Sequence, residues 1–200
     1  DGLRGIFSLM IVFLHYPKDY IPDWFHSLFF IRESYIFVDF FFVLSGFVIS
    51  YNYNWIKTKE DIIQYLKKRF FRIYPLMFFS AVIFLAYVIF SKLVIGSIYP
   101  NLFEEINVTW DNHYRPFLDA ILLTNSTPIL GIPWGINNPS WSISAEMISY
   151  LIFAIIMFFF RKKIHHYIFL MMIVFSSIFL FYNNIFFASG EFGFIRGILS

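Results

Sequence analysis

The sequence predicts an all-α membrane protein, a polytopic bundle of transmembrane helices. Three observations predict it. Of 200 residues, 59% are hydrophobic and 14% charged, with 30 phenylalanines and a mean hydropathy of +0.68. A soluble domain carries about a quarter charged residues, and its core is too small to bury so many rings. Apolar runs near the length of a bilayer crossing recur without strand-like alternation. Lys and Arg concentrate in alternate loops. The same composition excludes a disordered chain, a nucleic-acid binder and a disulfide scaffold. With no cysteine there is no zinc–thiolate site. The chain starts at Asp1 and stops just after an apolar run opens, so it reads as part of a longer protein.

Residues 5–16 form the first predicted span and residues 35–51 the second. The third covers 74–95, the fourth 143–160 and the fifth 167–182, and a sixth opens at Phe192. Residues 117–124 are too short to cross and are expected to lie in the interface. The loop after the second span holds Lys57, Lys59, Lys67, Lys68, Arg69 and Arg72. The loop after the fourth holds Arg161, Lys162 and Lys163. The alternate loops, 17–34 and 96–140, hold only Lys18, Arg32 and Arg115, beside seven acidic residues. Basic loops stay on the cytoplasmic side, which puts the N-terminus inside and residues 96–140 outside. Trp24, Trp110, Trp134 and Trp141 fall in or beside the outer loops, where interfacial aromatics belong.

A titratable side chain in a span is costly, so each one is a functional candidate. Arg4 and His15 are eleven residues apart, share a helix face and stand roughly 16 Å apart. Taken singly, each is explained by snorkelling to its own interface; two on one stripe favour function. Asp39 opens the second span and is expected level with His15, where a carboxylate fixes the imidazole tautomer. A plain helix-dipole role explains Asp39 equally well. Arg69 and Arg72, three apart, are expected to point the same way and can grip a phosphate, although a topogenic basic patch is the simpler reading. Glu146 shares a face with Ser142 at the outer start of the fourth span. It is either a first-turn acid behind a Ser142 cap or part of a polar cluster lining a cavity. His165 and His166 read as a solvated pair, with no metal site. The sequons at Asn107 and Asn125 are short enough to arise by chance. Ser45-Gly46 is expected to allow close helix packing.

Together these residues resemble the acyltransferase 3 family of membrane O-acyltransferases, which place acyl groups, usually acetyl, on sugars of bacterial envelope polymers. Four motifs stand in the family's order. Asp1-Gly2-Leu3-Arg4-Gly5 with His15 is similar to its Arg-x10-His signature. Val38-Asp39-Phe40-Phe41-Phe42-Val43-Leu44-Ser45-Gly46-Phe47 resembles its second-helix motif. Arg69-Phe70-Phe71-Arg72 resembles its Arg-x-x-Arg motif, and Trp141-Ser142-Ile143-Ser144-Ala145-Glu146 its Trp-Ser-Leu-Ser-x-Glu motif. Phe194-Ile195-Arg196-Gly197 resembles, over a shorter stretch, a later Arg-containing segment. The family often has a His near the Trp motif, where this chain has Asn138-Pro139-Ser140.

The resemblance implies that residues 1–200 are the N-terminal part of a single integral-membrane acyltransferase domain, with five to six helices of a ten-helix core. It implies a bacterial inner-membrane location, with cytoplasmic acyl-CoA, expected to be acetyl-CoA, as co-substrate. An envelope carbohydrate is the implied acceptor, and the lipid bilayer is the surrounding partner; no metal and no nucleic acid is expected. Arg69 and Arg72 would hold the donor's phosphates and Arg4 the inner part of its thiol-bearing arm. His15 would be general base or transient acyl carrier, oriented by Asp39. Glu146 would bind sugar hydroxyls or stabilise the charged imidazole. The competing reading is a transporter or channel in which Arg4, His15, Asp39 and Glu146 form a proton or anion path.

Overall fold

The computed structural model describes residues 2–53, 56–98, 110–127, 137, 140–160, 162–182 and 193–199. Every regular element among them is helical. Helix α1 spans Gly2–His15, and the short α2 (Asp23–His26) and α3 (Phe29–Arg32) follow. Next come α4 (Ile36–Asn52), α5 (Lys59–Phe90) and α6 (Arg115–Leu122). The chain ends in α7 (Ser140–Phe159), α8 (Lys162–Tyr182) and α9 (Gly193–Leu199).

By length and apolarity, three helices can cross a membrane: Lys59–Ile98, Ser140–Phe159 and Ile164–Tyr182. Arg4–His15 and Ile36–Asn52 are shorter apolar helices. These five match the five predicted spans, and α9 stands where the sixth was expected, although Phe192 itself lies outside the described residues. So do Arg161, Asn107 and Trp134. The outward faces are apolar. Leu76 is 77% exposed, Phe181 72% and Phe175 69%. Water makes such a surface an aggregation liability, whereas hydrocarbon tails suit it.

The third span differs from expectation at its start. The helix that carries it begins at Lys59, well before the apolar run from Tyr74, so the basic stretch is helix rather than loop. Thr58 explains the start. Its Oγ1 accepts from the Asp61 N–H at 3.1 Å, and Asp61 Oδ2 accepts from the Thr58 N–H at 3.0 Å. This reciprocal cap satisfies two otherwise orphaned donors. The Lys, Arg, Gln and Leu residues that follow are good helix formers.

Three apolar clusters join the helices. Ile49, Tyr65, Tyr150 and Ala154 tie α4, α5 and α7 together. Met77 and Ala81 of α5 meet Ala120 of α6. Phe42 of α4 meets Trp141 and Ala145 of α7. Residues 115–122 are thus packed on α5. The turn after α6 is pinned by buried polar groups. Leu123, at a left-handed φ of 58°, accepts through its carbonyl from Ser144 Oγ at 2.5 Å. Asn125 donates to Ser140 Oγ at 2.7 Å and is fully buried.

Candidate active site

The helices α4, α7, α8 and α9 line a partly open cavity of about 250 Å³. Its polar part is built by Ser45 of α4 with Glu146 and Tyr150 of α7. Ser45 Oγ donates to Glu146 Oε1 at 2.6 Å and lies 2.9 Å from the Tyr150 hydroxyl. The Tyr150 hydroxyl also donates to Glu146 Oε1. Glu146 and Tyr150 are one helical turn apart, so α7 alone brings them together. A carboxylate that accepts two O–H donors is held in place and keeps its second oxygen for another partner. Glu146 is therefore not the first-turn acid of a capped helix, because α7 begins at Ser140 and places it in the second turn.

Behind Tyr150 lies Arg69. Its guanidinium carbon is 5.2 Å from the Tyr53 ring centroid, 5.6 Å from that of Tyr150 and 5.7 Å from that of Tyr65. Three aromatic faces hold the cation where water is scarce. Arg69 is only 7% exposed, and its Nε–H has no acceptor among the described residues. A buried donor on a cation that lacks an acceptor is an unusual and costly arrangement.

Arg72 is exposed, so the two arginines do not share one environment as expected. Three residues differ by about 60° around a helix, enough here to put one side chain inside and the other outside.

Asp39 and His15 also part company. Phe7 of α1 stacks on Phe37 and meets Phe40 edge-on, with centroids 4.1 and 5.2 Å apart. Ser34 Oγ donates to the Met10 carbonyl at 3.3 Å. This antiparallel register puts Asp39 near the level of Arg4 and Phe7. His15, eight residues beyond Phe7, lies about 12 Å further along α1. The expectation of an Asp39-oriented histidine is corrected here, because the second span begins deeper than its apolar run suggests. The segment between spans folds back as α2 and α3.

His15 Nδ1 instead sits 2.9 Å from the Ile11 carbonyl. A carbonyl only accepts, so Nδ1 carries the proton and a neutral ring leaves Nε2 free to accept one. Asp39 pairs with Arg196 of α9, Nε to Oδ1 at 3.0 Å and Nη2 to Oδ2 at 2.5 Å. Arg4 is half-buried on α1. His165 is buried against the Phe160 carbonyl, while His166 is exposed, so the two are not a solvated pair.

An acyltransferase domain family matches residues 1–200. The chain belongs to this acyltransferase family. Among its relatives is "Protein 2 in picA locus" of Rhizobium radiobacter, 30% identical over 165 residues. That alignment covers 77% of this chain and 78% of the relative. "Acyltransferase MdmB" of Streptomyces mycarofaciens is 31% identical over 121 residues, covering 59% of this chain and 27% of that protein. This chain thus matches about a quarter of the second relative's length. No solved structure gives a significant match.

Within the acyltransferase domain, the structure groups Glu146 and Arg69 around Tyr150 and leaves His15 apart, toward the other end of α1. Sequence reasoning missed two members of the polar network. Ser45 reads in the sequence only as a packing residue. Tyr150 carries no signal, being one of 13 tyrosines. Arg196, the partner of Asp39 outside this network, stands in a motif-like stretch, an arginine inside an apolar run.

Proposed function

We propose that the protein transfers an acyl group, with acetyl the first donor to test, from cytoplasmic acyl-CoA to a hydroxyl of an envelope sugar. The reading places it in the bacterial inner membrane with its N-terminus in the cytoplasm. The observation that carries it is the Ser45–Glu146–Tyr150 cluster beside an apolar cavity, backed by the caged Arg69, in a chain of an acyltransferase family.

What supports an acyl-CoA donor is the positive charge of Arg69 behind the cluster, a cation held by three tyrosine rings and suited to an anionic partner. Arg72 adds exposed positive charge one turn on, and Arg4 would meet the donor's arm. The heights divide the work. Glu146, Ser45 and Tyr150 serve the acyl group brought from the cytoplasm. His15, through Nε2, takes the proton of the hydroxyl brought from outside or briefly carries the acyl group.

The test is transfer of a labelled acetyl group from acetyl-CoA to envelope polysaccharide by the full-length protein. His15→Ala and His15→Gln are expected to abolish transfer while acetyl-CoA still binds, because an amide cannot accept the proton at neutral pH. Glu146→Gln is expected to slow transfer by at least about tenfold. A well-expressed His15→Ala variant with full activity would remove the histidine from the mechanism. Ion flux without acylation would point to a transport path instead.

A further inference from the structure

Most of the cavity wall is unlike the cluster at its polar end. Phe42 and Ile49 of α4, Phe153 of α7, and Phe169 and Met172 of α8 line it. Phe153 and Phe169 stack with centroids 5.9 Å apart and planes 20° apart. On the α9 side, a Cβ at Gly197 would stand 2.6 Å from Ser149 Oγ and 3.0 Å from the Ala145 carbonyl oxygen. Helix α9 is therefore pressed onto α7 and closes that side. Ser45, Tyr150 and Met172 each lie near the middle of their helices, so the cavity sits at mid-height in the bundle.

This chemistry selects the occupant. A sugar would find partners in Ser50, Ser149 and Glu146 for some hydroxyls but would set the others against phenyl rings and a thioether, which is unfavourable for each one left unpaired. An alkyl chain suits the same wall. An apolar cavity of about 150 Å³ holds a benzene ring. By that measure about 250 Å³ has room for roughly eight to ten carbon-sized atoms. An acetyl group leaves most of it empty.

We propose that this cavity receives the acyl chain of the donor and sets its length, admitting chains well beyond acetyl, up to about eight carbons. The proposal rests on the acyl-transfer reading and adds a substrate range to it. The chain lies among Ile49, Phe153, Phe169 and Met172, with its carbonyl end toward the polar end of the cavity.

The test uses the full-length protein in lipid nanodiscs with acetyl-, butyryl-, hexanoyl-, octanoyl- and dodecanoyl-CoA. Transfer is expected through octanoyl and to fall by at least about tenfold at dodecanoyl. Met172→Trp, which fills the cavity, is expected to lower the hexanoyl-to-acetyl transfer ratio about tenfold. Met172→Phe serves if the larger ring prevents folding. Phe169→Ala is expected to move the limit to longer chains. Independently of turnover, hexanoyl-CoA tipped with a diazirine is expected to crosslink to peptides of α4 and α8. Acetyl transfer with an unchanged ratio in the Met172 variants, and crosslinks elsewhere, overturns the chain-length proposal and leaves acyl transfer standing. Crosslinking at the cavity with no transfer from any donor overturns the acyl-transfer reading instead. Absence of both overturns both.

Discussion

Arg69 and Arg72 show how far two neighbours in one motif can diverge. One is enclosed by three tyrosines and the other is exposed. Their substitution effects should diverge equally. Arg69→Ala empties an aromatic cage and removes its positive charge, so it is expected to cost about 1–3 kcal/mol of acyl-CoA binding and to lower thermal stability. Arg72→Ala is expected to cost well under 1 kcal/mol, as an exposed charge does. Arg69→Lys should restore the charge but not the planar stacking, and so rescue only partly. Titration of acyl-CoA into the purified variants, with melting curves alongside, checks all three. Equal losses at the two positions would return the motif to a phosphate clamp of two like members. The i, i+3 spacing was legible in the sequence. Which arginine faces inward was not, because that depends on where α4 and α7 present Tyr53 and Tyr150.

At the scale of elements, α9 is held by one ion pair and one close crossing. Arg196 is 6% exposed on its side chain and Asp39 41%. Removing one partner of a buried pair strands the other, and about 3 kcal/mol is expected, the low end of the range, because Asp39 is only partly enclosed. Asp39→Asn and Arg196→Gln should each lower the melting temperature, and the double change should lose less than their sum. Asp39→Asn should leave the His15 ring on the Ile11 carbonyl, since the carboxylate is bound to Arg196 instead. Gly197→Ala should loosen α9 as well, because the added methyl meets backbone oxygen. The helices themselves were readable from apolar runs. The pairing of α9 with α4 was not, for no local pattern ties Asp39 to a residue so distant in the chain. The depth of Asp39 was misjudged for a related reason. The apolar run ending near Tyr16 says nothing of how residues 17–34 fold back before α4 starts.

For the molecule as a whole, orientation follows from charge. The exposed Lys59, Lys67 and Lys68 stand on the first part of α5, far along the chain from the acidic Asp111 beyond its other end. Cysteine replacing Lys59 should be silent to an impermeant thiol reagent in intact cells, and cysteine replacing Asp111 should react. The reverse pattern would put Arg69 on the side opposite a cytoplasmic donor. The membrane class was legible from composition alone, because nothing else accommodates 30 phenylalanines in 200 residues. The acid–hydroxyl cluster was half legible: Glu146 stood out as an ionisable group at a span, whereas its partners Ser45 and Tyr150 are ordinary residues until the helices pack.

The Asp39–Arg196 pair also bears on how the chain is made. The two residues are 157 apart, so Asp39 leaves the ribosome long before its cation exists. An acid near a helix centre raises the cost of membrane insertion by about 2.5–3.5 kcal/mol on translocon scales, and less near an end, where Asp39 sits. Until α9 is synthesised, α4 therefore has a weaker claim on the bilayer than its apolar residues suggest. The arrival of Arg196 with α9 supplies the cation that offsets this cost.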